Sequence, residues 1–182
     1  MRRGLILNRA VQHFCEDVEW GDLDYLLIDM PPGTGDVQMG LARMLPRAEM
    51  VIVTTPALAA QKVAVRVAHM GRNNYLRVVG VIENMSAYVT PDGERHELFG
   101  AGGGNDLAEQ IGAPLLGSIP IDATVTAGGD SGRPVVLGEG PAADAYREIV
   151  ELIATEAAPP INMEGCSARL LAAAEAALDE AG

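Results

Sequence analysis

Apolar residues recur at Leu7, Ala10, Val11, Phe14 and Val18, a spacing that predicts an amphipathic helix over residues 6–19. Gly21-Asp22 ends it. Leu23–Asp29 is a short, nearly continuous apolar run, the pattern of a strand buried on both faces. Glu49–Thr55 reads as a second strand. Pro56 then opens a helix from Ala57 to Met70, with Gly71 as its stop. Leu76–Glu83 is a third strand, and residues 86–104 read as loop. Asn105 is positioned to cap a short helix ending at Ile111. Pro114–Pro120 is a fourth strand, ended by proline. Asp122–Gly140 is rich in Gly and Asp, with room for a short strand at Val135–Leu137, and Ala142–Ala154 is a helix.

Strands alternating with helices of this kind predict an α/β fold, a parallel sheet covered on both faces in three layers. Pro159-Pro160 breaks the chain. Residues 1–157 therefore read as one α/β unit, and residues 158–182 as a linker followed by an Ala/Leu-rich helix over Ser167–Glu180, with Ser167 as its cap. The sequence has no internal repeat.

The chain has 182 residues, enough for one domain with a sizeable core, and only 4% aromatic residues, so that core must be aliphatic. Its formal net charge of −12 argues against a broad nucleic-acid or anionic-membrane surface, because phosphate backbones reward basic ones. An acidic chain can still hold one nucleotide through backbone N–H groups and Mg²⁺. The two cysteines, Cys15 and Cys166, lie far apart in no metal-binding spacing. That points to a reducing, cytoplasmic setting rather than a disulfide framework. No apolar run approaches the length of a membrane span.

In open α/β sheets ligands sit at the C-terminal ends of strands. Asp29, Thr54-Thr55-Pro56, Glu83-Asn84 and Pro120-Ile121-Asp122 all fall there. Asp29 is placed to hold a Mg²⁺-bound water. The N–H groups of Gly33, Thr34 and Gly35 can form an anion-binding nest near a terminal phosphate. Asp36 either orients the attacking water or caps the next helix. Asn84 either reads an adenine edge or satisfies loop backbone. Gly100–Gly104 has no lysine and no following Ser or Thr, so it reads as a flexible loop, not a phosphate cradle. His13, His69 and His96 share no ligand spacing. Cys166 reads as an exposed thiol ahead of the tail helix. The one lysine, Lys62, has no glycine-rich loop around it.

The segments RGLILNRA (residues 3–10), WGDLDYLLIDMPPGTGD (20–36), VTTP (53–56), GVIENMS (80–86), FGAGGG (99–104) and LGSIPID (116–122) resemble, in order, the Mrp/ApbC iron–sulfur cluster carrier ATPases. These are MinD-like P-loop proteins. The resemblance implies ATP and Mg²⁺ binding at a homodimer interface, and delivery of a [4Fe–4S] cluster to apo-proteins. It implies that Asp29 is the switch acid and Asn84 the adenine reader, with Ile119–Asp122, including Pro120 and Asp122, flanking the base.

Two features depart from the family. The glycine-rich P-loop with its lysine, strand and helix has no counterpart in this sequence, so catalysis by these residues alone is not expected. In the family that strand lies beside the Asp29 strand, and without it apolar strand edges would stand unpaired. The expectation is that this sequence is a piece of a longer protein. Second, the Cys-x-x-Cys expected after ENMS is replaced by the cysteine-free stretch Ala87–Glu94, with Thr90 at about the place of the first thiolate. Threonine is a poor soft-metal ligand, and Cys166 supplies at most one thiolate per subunit.

The reading is the C-terminal portion of an iron–sulfur cluster carrier ATPase. The alternatives are a MinD-like positioning ATPase and a non-catalytic binding module of the same fold. The first would be expected to carry a basic amphipathic helix, whereas Arg169 is the only basic residue of the tail helix. The native protein should accordingly have an intact mass well above 19.1 kDa. A native mass spectrum at that value would reverse the expectation.

Overall fold

The computed structural model describes residues 9, 11–30, 35–90 and 92–160. Residues 11–16 form a short helix, α1. Then come α2 (Asp36–Met44), β1 (Glu49–Thr54), α3 (Leu58–Asn73), β2 (Arg77–Val89), β3 (Arg95–His96), α4 (Gly103–Ile111), β4 (Leu115–Ile121), α5 (Ala123–Ser131) and α6 (Pro141–Leu152). β2 is the centre of the sheet. It pairs in parallel with β1 on one side and with β4 on the other. Its far end turns back through Tyr88 and Val89 onto β3, antiparallel. The sheet is therefore mixed, not wholly parallel, and β2 and β3 take in residues 86–89 and 95–96 of the stretch that reads as loop from sequence.

Alternation along the strands feeds two apolar layers. Ile52 and Val81 face Ala64 and Ala68 of α3 and Leu107, Ala108 and Ile111 of α4. On the other face Leu116 and Ile119 meet Ile149 of α6, with Val51 and Ile82 packed alongside. This is the expected three-layer α/β arrangement, and its helices cover both faces.

Several local expectations change. Gly71 does not stop α3. The helix runs to Asn73 and Gly71 is buried, because a Cβ there would run into the Met50 sulfur. The stop is made by Asn74, whose Nδ2 donates to the Met70 carbonyl at 2.9 Å. Asn105 is not the cap of α4. That place belongs to Gly102, whose φ of 73° is open to glycine at little cost. Val135–Leu137 is a 3₁₀ turn rather than a strand. Arg147 holds it by donating to the carbonyls of Val136 and Gly138. Part of the Asp122–Gly140 stretch is the helix α5. The helix expected over Ser167–Glu180 lies outside the described residues.

The largest difference is at Leu23–Asp29, which forms no strand. Leu27 is 90% exposed, and Leu26 and Ile28 are exposed with it. A strand exists only where its N–H and C=O groups meet a neighbour about 4.8 Å away. No described residue pairs with this segment. It is tied down instead by the Tyr25 hydroxyl, which donates to the Ala158 carbonyl at 2.8 Å.

The packing of β2 against β4 leaves no room at Gly80, where a Cβ would run into the Leu116 side chain. Gly80→Ala should cost about 1–3 kcal/mol through overpacking, read as a lower denaturant midpoint at unchanged m-value. An unchanged midpoint would mean that β4 does not lie as closely on β2 as described.

Candidate functional site

The C-terminal end of β1 lies beside Glu83 in the middle of β2, opposite Ser118 of β4, and this stretch is held by buried polar contacts. After β1, the Gln61 side chain on α3 reaches back and donates to the Pro56 carbonyl at 2.8 Å. Gln61 is buried, as is Thr54, whose hydroxyl donates to the Thr55 carbonyl at 3.1 Å. The turn Thr54–Pro56 is thus fixed from both flanks.

On β2, the alternation that sends Val79 and Val81 inward also sends Glu83 inward, and its side chain is only 5% exposed. A buried carboxylate must be met by donors. Here Oε2 accepts from the Gly104 N–H at 2.5 Å and Oε1 from the Ser118 hydroxyl at 3.3 Å. Glu83 thereby ties β2 to the first turn of α4 and to β4. One residue on, the β2–β4 register becomes irregular between Asn84 and Tyr88. Met85 takes a φ of 56°, and the Asn84 Oδ1 accepts its N–H at 2.9 Å. Buried Ser86 closes the irregular stretch by donating to the Ile119 carbonyl at 3.2 Å.

The glycine run at 100–104 is loop only in its first three residues. Gly103 and Gly104 open α4 and are buried. A Cβ on Gly103 would stand 2.6 Å from the Pro56 carbonyl oxygen, and one on Gly104 2.6 Å from the Glu83 Cβ. The positive end of α4 is satisfied internally by the Glu83 carboxylate.

The expected site residues fall into three groups. Asn84 stands at the irregular stretch of β2. Pro120 lies in β4, which continues through Ile121 rather than ending at the proline. Asp122 caps α5, its Oδ1 accepting from the Thr124 N–H at 2.8 Å and the Thr124 hydroxyl at 2.6 Å. Asn84 pairs with Ile119, the residue before Pro120, and Asp122 follows the end of β4. On the other side, Gly35 is the N-cap of α2, and its N–H donates to the Gln38 Oε1 at 2.5 Å. Asp36 is the first residue of α2. Asp29 is exposed on the segment that forms no strand. Gly33, Thr34 and Cys166 lie outside the described residues. Lys62 is exposed on α3.

The cysteine-free stretch after Ser86 has its own structural work. The Thr90 backbone N–H donates to the Glu94 carbonyl at 2.9 Å, and the Thr90 Oγ1 accepts the Glu94 N–H at 3.0 Å. Gly93 turns the chain with a φ of 91°. Thr90 is thus committed to a hairpin turn. Among the described residues no group of three or more His, Cys, Asp or Glu side chains is gathered to hold a metal. These residues do not fit an iron–sulfur ligand set. Ser86 and Gln61 are given no role by the sequence, and Glu83 is marked there only by its place at a strand end beside Asn84. The available signal for Glu83 was its place at an inward position of a strand, two residues beyond Val81.

The chain matches the model of the family described as ParA, NUBPL iron-transfer P-loop NTPase, over residues 1–154. It is 50% identical over 141 residues to the iron–sulfur cluster carrier protein of Mycobacterium leprae, covering 74% of this chain and 37% of that one. It is 45% identical over 155 residues to the carrier protein of Deinococcus radiodurans, covering 84% and 44%. The chain thus spans less than half the length of these curated relatives. Among solved structures, it is similar to a nucleotide-binding protein of Archaeoglobus fulgidus in complex with ADP. The TM-score is 0.60 and the identity 36%, covering 71% of this chain and 54% of that one. The MinD cell division protein of Aquifex aeolicus shares the fold, with a TM-score of 0.59 at 23% identity, covering 86% of this chain and 63% of that one.

The close seating of Gly103 on Pro56 can be tested directly. Gly103→Ala should push α4 away from the Thr54–Pro56 turn and lower stability by about 1–3 kcal/mol, since the obstacle is backbone. Chemical denaturation with hydrogen exchange of the Gln61 side-chain amide reads both effects. Wild-type values in both would refute the contact.

Proposed function

This chain belongs to the NUBPL iron-transfer P-loop NTPase family, and on that premise we propose that it forms the base-binding side of a nucleotide-dependent iron–sulfur cluster carrier. What supports the reading is the pairing of β2 with β4, which sets Asn84 opposite Ile119, the residue before Pro120, with Asp122 following the end of β4. A carboxamide there offers one donor and one acceptor to the edge of a base. The backbone of Pro120 and Ile121 then flanks the ring, and Asp122 keeps that backbone in place by capping α5.

The phosphate side of the site falls to the loop entering α2. In this reading Asp29 holds Mg²⁺ through a water, Gly33, Thr34 and Gly35 offer N–H groups to the terminal phosphate, and Asp36 orients the attacking water. When bound, Mg·ATP supplies the γ-phosphate whose loss lets this loop change its contacts, as in other nucleotide switches. The chain's single lysine is exposed on α3, away from that loop in sequence. These residues therefore act in binding, and hydrolysis requires a cationic group from elsewhere. The iron–sulfur cluster is cargo, passed to apo-protein clients by a dimer in the cytoplasm. Its thiolates are not drawn from Ala87–Glu94.

Titration with a fluorescent ATP analogue, with and without Mg²⁺, tests the reading. The full chain should bind, and Asn84→Ala should weaken binding about tenfold while melting stays cooperative, the loss expected for one hydrogen-bonding group. Absence of binding to ATP and ADP at millimolar concentration, in either condition, would refute it.

A further inference from the structure

Asparagine is an ambiguous reader. Its carboxamide has a donor at one end and an acceptor at the other, and a half-turn about the last side-chain bond exchanges them. In one orientation it suits adenine, which presents a donor amine at the six position. In the other it suits guanine, which presents a carbonyl there. A site that discriminates between the two must stop the half-turn. In this structure the Met85 N–H does so. It donates to the Asn84 Oδ1 at 2.9 Å, and the flipped amide would set two donors against each other. One lone pair of that oxygen remains for a base amine, and the Asn84 Nδ2 is engaged by no group among the described residues.

The Met85 N–H belongs to the peptide plane between Asn84 and Met85, and that plane lies in a kink where Met85 holds a φ of 56°, an uncommon value for a residue with a side chain. Two buried side chains bracket it. On one side Glu83 is bonded to Gly104 at 2.5 Å and to Ser118 at 3.3 Å. On the other, Ser86 is bonded to the Ile119 carbonyl at 3.2 Å. Both brackets reach β4, and the residue of β4 opposite Asn84 is Ile119 itself. The geometry points to Glu83 and Ser86 as positioning residues that set base specificity: by holding the Asn84–Met85 kink they lock the Asn84 amide in its adenine-selecting orientation. This inference rests on the nucleotide-binding reading above.

The test is the ratio of ATP to GTP affinity, measured on the full chain by titration with both fluorescent analogues. Wild type should prefer ATP. Glu83→Ala and Ser86→Ala should each lower the preference about tenfold, the worth of one ordinary hydrogen bond, with GTP binding little changed or improved. Glu83→Gln should restore it, because a carboxamide can accept from Gly104 and donate to the Ser118 oxygen. A merely structural loss would weaken both nucleotides equally and leave the ratio alone. Should Glu83→Ala fail to fold, Ser118→Ala removes only the weaker of the two bonds and should give a smaller fall in the ratio. A wild-type chain that binds adenine selectively, with variants that keep its ratio, overturns the inference alone. A wild-type chain that binds neither nucleotide overturns the reading beneath it as well. A Glu83→Gln chain as unselective as Glu83→Ala also overturns the inference, since charge and not the bonds would then set specificity.

Discussion

A carboxylate buried in an aliphatic core is tolerated only when donors surround it, and Glu83 imposes that condition on everything near it. Its side chain points where Val81 points, into the layer between the sheet and α4. The Gly104 N–H and the Ser118 hydroxyl meet the condition. The first of these requires α4 to begin directly over the strand, and that requires residues without side chains at 103 and 104. The same approach seats Gly103 on the Pro56 carbonyl, to which Gln61 already donates. One buried charge thus fixes the start of a helix, the turn after β1 and the cross-strand contact to β4. Removing it would leave an orphan helix N-terminus and an empty inward position together, so its loss should be felt in all three places.

That arrangement explains which parts of the fold were legible in the sequence. β1, β2 and β4 are short aliphatic runs bounded by turn residues, and period alone finds them. The helices α3 and α6 follow from their spacing in the same way. The glycine run at 100–104 could not be read from itself, because its purpose lies in a residue about twenty positions earlier. Composition reports that glycines are there; it does not report what must come close to them. Gly71 misleads for the same reason. It marks a close approach to Met50 inside a helix rather than the helix's end. The extension of β2 to Val89 and its return as β3 were hidden because the strand bends at Asn84–Met85, where period two is lost.

The Leu23–Asp29 segment fails differently. Its apolar pattern predicts that these side chains lie against something, and in the described structure they are exposed. A strand needs more than that, namely a backbone neighbour in register, and no described residue supplies one. Hydrophobic pattern is a property of one segment, whereas a ladder is a property of two.

The same distinction separates the two sides of the candidate site. In the proposed reading, the base side is specified by contacts wholly within the described core, three strands and two buried side-chain brackets. Asn84 therefore has a defined orientation before any ligand arrives, and a pre-set donor and acceptor pair loses less freedom on binding than a mobile one. The phosphate side depends on the exposed Asp29 and on the entrance to α2, where the Gly35 N–H already has a partner in Gln38. An incoming phosphate must compete with that glutamine for the N–H group. On the proposed reading, the base would dock on a surface that is already made, while the phosphates would have to rearrange theirs. In a nucleotide switch, the part that recognises should stay rigid and the part that responds should move. The division of hydrogen bonds between Glu83–Ser86 and Gly35–Gln38 follows that order.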